Sequence, residues 1–315
     1  MKKTLLTFLL LFLVNVPITS AQGLPINTDV VQKSVVFLFN SAQQPDATGF
    51  LVGIPMKDQP GQLKLAIVTA RHVVDPQWAG CNQPNPQSLA VRVNTKNYTS
   101  GQPTPGVWIG NALLVDNGKN VWFASEDNRV DAAVIPIAAP NLLIANDVDF
   151  INLSDFGTAE EIKKYSIGIG AGIISAGLVP YLSGAPRNYP AFKFGRVSSV
   201  LDEPLTEQRC GPGSRITSTW TWLIAGNFVP GNSGSPIFLL PLDFTLGQGL
   251  SFTGPRPMLL GLLSASNEGA DLAEMVPVEY LFQIIEKNYP DGDMYRGDMK
   301  NKPKTDEQKP EQQSN

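Results

Sequence analysis

Histidine and cysteine are almost absent from these 315 residues: there is one of the first, His72, and two of the second, Cys81 and Cys210. Three such side chains cannot assemble a His/Cys-rich zinc site, and a His-Glu-x-x-His metallopeptidase is excluded outright. Charge is sparse too, at 17% of residues with a formal net charge of −4, and no basic cluster offers a nucleic-acid surface. Apolar runs are short and interrupted, against a multi-span membrane protein, while a hydrophobic content of 43% argues against a disordered polymer. What is plentiful is turn-forming, with 28 Gly and 26 Pro, so many brief strands are expected rather than long helices.

The chain opens with Lys2 and Lys3, an apolar run from Leu5 to Val14, and a small-residue end at Thr19-Ser20-Ala21. This is the pattern of a signal peptide, residues 1–21, cut after Ala21. The run is shorter than the ~20 residues a spanning helix needs and is broken at Asn15 and Pro17, so a retained anchor is not expected. Without Lys2 and Lys3, 22 basic side chains face 28 acidic ones, which suits a secreted or periplasmic protein with no stable membrane insertion. Export makes Cys81 and Cys210 a natural disulfide pair, worth a few kcal/mol on the loop-entropy estimate, with two separate buried thiols as the alternative.

Strand-like runs are read at Val35–Phe39, Gly49–Val52, Leu65–Thr69, Leu89–Val93, Val121–Ala124 and Val130–Ile137, and then at Tyr165–Ile169, Phe192–Val200, Ser218–Ile224, Ser235–Leu240 and Met258–Ser264. Between the two sets, Thr158 followed by Glu161 is a helix-start pattern in which each side chain satisfies the other's backbone donor. Pro277 opens a helix over 277–288 with Val278, Leu281, Phe282 and Ile285 on one face. Residues 291–315 are polar and charged with almost no apolar side chain, and a disordered tail is expected, too short for an appended peptide-binding domain.

Any imidazole chemistry must use His72, which sits in Ile67-Val68-Thr69-Ala70-Arg71-His72-Val73-Val74, where an apolar strand ends. A lone histidine is more often structural. The segment Val229-Pro230-Gly231-Asn232-Ser233-Gly234-Ser235-Pro236 sets a serine between two glycines just before a strand, and glycines there let consecutive N–H groups point into one cavity. Alone, it is also an ordinary Gly-Ser turn.

Taken together, the motifs resemble those of the trypsin-like (chymotrypsin-fold) serine peptidases, in the form found in secreted bacterial proteins. Thr69-Ala70-Arg71-His72 is similar to the family's histidine segment, Val130-Asp131-Ala132-Ala133-Val134 to the segment with the buried aspartate, and Gly231-Asn232-Ser233-Gly234-Ser235-Pro236 to the nucleophile loop. Leu260-Gly261-Leu262-Leu263-Ser264 looks like the strand that follows the nucleophile and lines the cleft. The order His, Asp, Ser is that of this fold and not of subtilisins or α/β-hydrolases.

The resemblance implies an all-β domain over 22–290, built as two packed antiparallel barrels at about 30–150 and 160–275 with the C-terminal helix behind. It implies peptide hydrolysis of protein or peptide substrates, with no cofactor and no metal. Ser233 would attack, His72 would take its proton, Asp131 would hold the imidazole, and the N–H groups of Gly231 and Ser233 would bind the oxyanion. Asp116 and Asp127 compete with Asp131, but only Asp131 directly precedes an apolar strand. A catalytically idle protease-like fold used for binding is the alternative.

Departures from the family pattern set the remaining expectations. Asn232 stands where animal digestive members carry the aspartate that pairs with a new N-terminus on activation. The glutamyl endopeptidase branch, which shares a serine like Ser235, uses an extra histidine that this chain lacks. Asn227 falls where trypsins place a pocket aspartate, and Leu263, Ser264, Ala265 and Ser266 would line the substrate pocket. An uncharged pocket, disfavouring Arg, Lys and Glu, is the expectation. Gly168-Ile169-Gly170-Ala171-Gly172 lacks the helix a phosphate loop needs.

Overall fold

The computed structural model describes residues 26–292 apart from 41, 60, 101–105, 139–140, 183–186, 241–243, 247–249, 253 and 268–270. The expected signal peptide, and the expected tail from residue 293 onward, lie outside the described residues. Asp291 and Gly292 belong to the folded part: Gly292 bridges to Met56, and the Lys57 N–H donates to Asp291 O at 3.0 Å.

Val35–Phe39 is apolar at every position and buried along its whole length, the pattern of a strand covered on both faces. It lies inside a curled sheet whose order is Val107–Leu113, Ser88–Asn94, Val35–Phe39, Pro45–Pro55, Leu63–Thr69, Ala133–Ile137, Phe123–Ala124. Apart from a short parallel pairing of Ile151–Asn152 with Val52–Gly53, its neighbours run antiparallel. The second sheet closes on itself as a six-stranded barrel: Gly172–Gly177, Ala191–Val200, Trp222–Gly226, Leu272–Pro277, Leu259–Asn267, Pro236–Leu239 and back to Gly172–Gly177. One closed barrel beside a curled half-barrel gives the chymotrypsin-like two-barrel architecture, the first unit being less fully closed than expected.

One apolar core runs from the half-barrel across to Ile174, Ala176, Leu178, Phe238, Leu259, Leu262 and Val276 of the barrel wall, and a second fills the barrel itself. The helix Val278–Asn288 buries Val278, Leu281, Ile284 and Ile285 in the shared core, and Phe282 packs against it half-buried. Phe37, Phe50 and Phe156 are among the fully buried large side chains, where truncation to alanine costs about 3–5 kcal/mol.

Most of the expected strands form, and the differences that bear on the site are these. Tyr165–Ile169 is a turn: Thr158 caps the helix Ala159–Lys164 through the expected reciprocal pair with Glu161, Tyr165 closes it, and Gly170 takes φ +89 before the strand starts at Gly172. Ser218–Ile224 divides, because Thr217–Thr219 pairs with Leu205–Glu207 in a separate hairpin before Trp222–Gly226 enters the barrel. Val107–Leu113 and Leu272–Pro277 are further strands. The first has a largely exposed surface broken by Gly110, and the second carries a glutamate at its centre.

Candidate active site

The strand Leu63–Thr69 pairs with Ala133–Ile137 in a register that sets Thr69 opposite Ala133. His72 is three residues past one partner and Asp131 two residues before the other, so the ladder carries both to the same rim. His72 lies in the short helix Arg71–Val74, where its backbone N–H donates to Asp131 Oδ1 at 2.9 Å and its Nδ1 lies 2.9 Å from Asp131 Oδ2. The carboxylate is fully buried, while the imidazole is 26% exposed. Two contacts from one carboxylate fix both the position and the ring orientation of the histidine.

Asp131 Oδ2 accepts two more bonds, from Ser264 Oγ at 2.6 Å and Arg209 Nη1 at 2.7 Å. Burial alone would push this carboxyl upward. The charges of His72 and Arg209 and the hydrogen bonds from His72 and Ser264 outweigh it and hold the group well below the usual carboxylate range. Asp116 and Asp127 lie elsewhere: Asp116 is exposed, and Asp127 pairs with Arg129 and Trp220 Nε1.

Ser233 lies in a loop made possible by two left-handed glycines, Gly231 at φ +91 and Gly234 at φ +87. A Cβ on Gly234 would collide with Thr48 O and Thr69 Oγ1, so the loop passes directly against the strand that leads to His72. Asn232 is buried, and its Oδ1 accepts from Val229 N–H at 3.0 Å and Lys193 Nζ at 2.7 Å, while its Nδ2 donates to Leu178 O. Lys193 thus brings an amine from within the chain to the Asn232 side chain.

The Ser233 hydroxyl donates to Ser264 O at 3.1 Å and makes no hydrogen bond to His72. Ser264 therefore touches both Ser233 and Asp131. The N–H groups of Gly231 and Ser233 donate to no acceptor among the described residues, whereas Gly234 N–H donates to Leu263 O at 2.7 Å. Two free, neighbouring donors beside a serine hydroxyl are the elements of an oxyanion site.

The other expected pocket residues separate. Leu263 is buried in the barrel core, and its backbone is what meets the loop: its N–H donates to Ser235 O at 2.9 Å. Asn227 is exposed just past the end of Trp222–Gly226 and is not among the residues lining the cavity of Ala265 and Ser266. That cavity, of about 680 Å³, is bordered by Pro230, next to Gly231, and also by Glu207, Arg209 and Glu274. Charged walls replace the uncharged ones expected, because Glu274 comes from a strand and Arg209 from a hairpin loop that the sequence does not place near Ser233. Burial, with Glu207 and Asp131 adding to it and Arg209 opposing, pushes the Glu274 carboxyl up to about 8.

Cys81 and Cys210 form a disulfide, with Cα atoms 5.3 Å apart. It joins the stretch after the His72 helix to the segment bearing Arg209.

No family model matches the chain, and no curated protein does. Among solved structures it is similar to the Rv3671c protease from M. tuberculosis in its active form, at 14% identity and a TM-score of 0.43 over 82% of each chain. The inactive form of that protease gives 14% identity and a TM-score of 0.41 over 82% of this chain and 89% of the other.

Proposed function

We propose that the chain is an exported serine endopeptidase that hydrolyses peptide bonds through His72, Asp131 and Ser233 and an acyl-enzyme. The observation that carries this reading is Asp131, fully buried and bonded to both the backbone and the Nδ1 of the only histidine, with Ser264 linking it to Ser233.

With its Nδ1–H held by Asp131, His72 presents Nε2 as a base. When the Ser233 hydroxyl turns from Ser264 O to that nitrogen, its proton passes to His72 as Oγ attacks the substrate carbonyl carbon. The carbonyl oxygen becomes an oxyanion accepting from the Gly231 and Ser233 N–H groups. Collapse breaks the C–N bond, and the imidazolium gives its proton to the leaving amine. Water, deprotonated by His72, then attacks the ester and releases the acid with Ser233 restored. Asp131 stays ionised throughout, stabilising each imidazolium.

Export agrees with the basic and apolar start of the sequence and with the disulfide, a bond that persists in oxidising compartments. The second reading, an idle protease-like fold used for binding, takes its support from the hydroxyl donated to Ser264 O rather than to His72. The two are separated by assaying purified protein on an unstructured protein substrate and a peptide library. Hydrolysis that falls by about 10⁶-fold in Ser233→Ala, with the fold unchanged, is expected. No hydrolysis by the wild type, or the same hydrolysis by Ser233→Ala, supports the idle fold or another nucleophile.

A further inference from the structure

Arg209 reaches the site from a loop outside the three catalytic motifs. Its side chain is 5% exposed, and its Nη1 bonds Asp131 Oδ2 at 2.7 Å and Ser264 Oγ at 2.9 Å. Nη2 donates to Thr219 Oγ1 at 3.0 Å and to Glu274, and Nε lies 3.0 Å from Glu207 Oε1. An ion pair serving stability alone needs only Glu207 or Glu274. One arm of this guanidinium is instead placed on the two groups that hold His72 and Ser233.

The anchoring supports that use. Cys210, the next residue, is bonded to Cys81, and Arg215 Nη2 donates to the carbonyls of Gln77 and Trp78. Both ties run to residues 77–81, which follow directly on the His72 helix. Arg209 and His72 are therefore held on a common frame on either side of Asp131.

We propose that Arg209 is a positioning residue of the candidate site: it fixes the Asp131 carboxylate and the Ser264 hydroxyl, and offsets part of the negative field that Asp131 places on His72. The proposal rests on the peptidase reading for its kinetic consequence but not for its electrostatic one. The charged groups that act on His72 are Asp131 and, more distantly, Asp46; Arg71 and Arg209 act on it through Asp131. Removing Arg209 leaves the full Asp131 charge on the ring, so imidazolium forms more readily and the acid limb of hydrolysis moves to higher pH.

Having a single histidine makes the test direct, because a tag-free protein gives one imidazole signal by NMR. Arg209→Met leaves buried carboxylates uncompensated and can unfold the chain, so Arg209→Met in a Glu274→Gln background is compared with Glu274→Gln, and Arg209→Lys with wild type. The expected result is a His72 titration midpoint raised by roughly half a pH unit or more in the double variant. The acid limb of kcat should move by the same amount, with kcat lower by about 10- to 100-fold and KM little changed. Arg209→Lys should keep the midpoint and recover only part of kcat. A folded double variant whose midpoint matches that of Glu274→Gln overturns the proposal, whatever the peptidase assay gives. A moved midpoint in a protein with no hydrolysis leaves Arg209 in its place and removes the peptidase reading instead.

Discussion

The Thr48 N–H donates to the Ser233 carbonyl at 2.9 Å, so the serine loop of the barrel is held by a strand of the half-barrel. Thr48 Oγ1 also donates to Gly231 O at 2.8 Å and accepts from Leu178 N–H, while Thr48 O accepts from Thr69 Oγ1 at 2.7 Å. A single residue thus joins the strand leading to His72, the Gly231–Gly234 loop and the stretch that follows Gly172–Gly177. Gly234, at φ +87, is what allows this approach. Gly234→Ala is expected to lower stability by about 3 kcal/mol or more and to abolish hydrolysis, since both the strained φ and the collision act at once. Urea unfolding and the peptide assay check this, and a stable, active variant would show that the loop does not need Thr48.

Lys193 bonds Asn232 from inside the fold, and the loop is therefore expected to order without a cleavage event. Burial lowers the Lys193 pKa, and its amine still lies 2.7 Å from the Asn232 amide oxygen. Lys193→Met is expected to reduce kcat about 10-fold or more, as for loss of a group that orients the reacting loop. Extra residues left at the N-terminus should have no effect. Activity that appears only after N-terminal trimming would contradict the account.

Two pH effects of opposite sign are expected. Hydrolysis should fall on acidification, because His72 must be neutral to accept a proton, and Asp131, held low, adds no limb of its own above its depressed range. Glu274 acts on stability: its folded-state value is raised from 4.5 to about 8, so the folded chain keeps a proton that the unfolded chain has lost. Its contribution is complete below about pH 4.5 and disappears as pH rises toward 8. Urea midpoints at pH 5.5 and 8.5 should show this decline, and Glu274→Gln should flatten it. An equal decline in the variant would place the titrating group elsewhere.

Specificity follows from the cavity beside Ala265 and Ser266, where the single guanidinium, that of Arg209, is already engaged by Asp131, Glu207 and Glu274. Cleavage after Glu or Asp is expected to be disfavoured about 10-fold or more against uncharged side chains, since a further buried carboxylate there has no free partner. Glu207→Gln should narrow that gap in a peptide-library profile. A wild-type preference for acidic residues would move the pocket to another place.

The candidate groups His72, Asp131 and Ser233 were legible because each sits in a short local pattern: an apolar strand ending at His72, an apolar strand starting after Asp131, and glycines flanking Ser233. The frame around them was not. Arg209 meets Asp131 across 78 residues and Glu274 across 65, and no local periodicity records such a meeting. Glu274 interrupts the strand Leu272–Pro277 with a charge, which hides the strand and the cavity wall together. Tyr165–Ile169 misled in the opposite sense, since its apolar residues surround a helix end and a tight turn. Leu263 reads as a cleft residue by its place beside Ser264, yet strand alternation turns its side chain into the core.

The central claim, that His72 makes Ser233 nucleophilic, is tested most directly by covalent labelling with a serine-directed fluorophosphonate, the modified peptide being located by mass spectrometry. The account expects one label, on Ser233, that is lost in Ser233→Ala and at least about 10³-fold slower in His72→Ala. An unlabelled wild type, or a Ser233 label formed equally fast without His72, would contradict it.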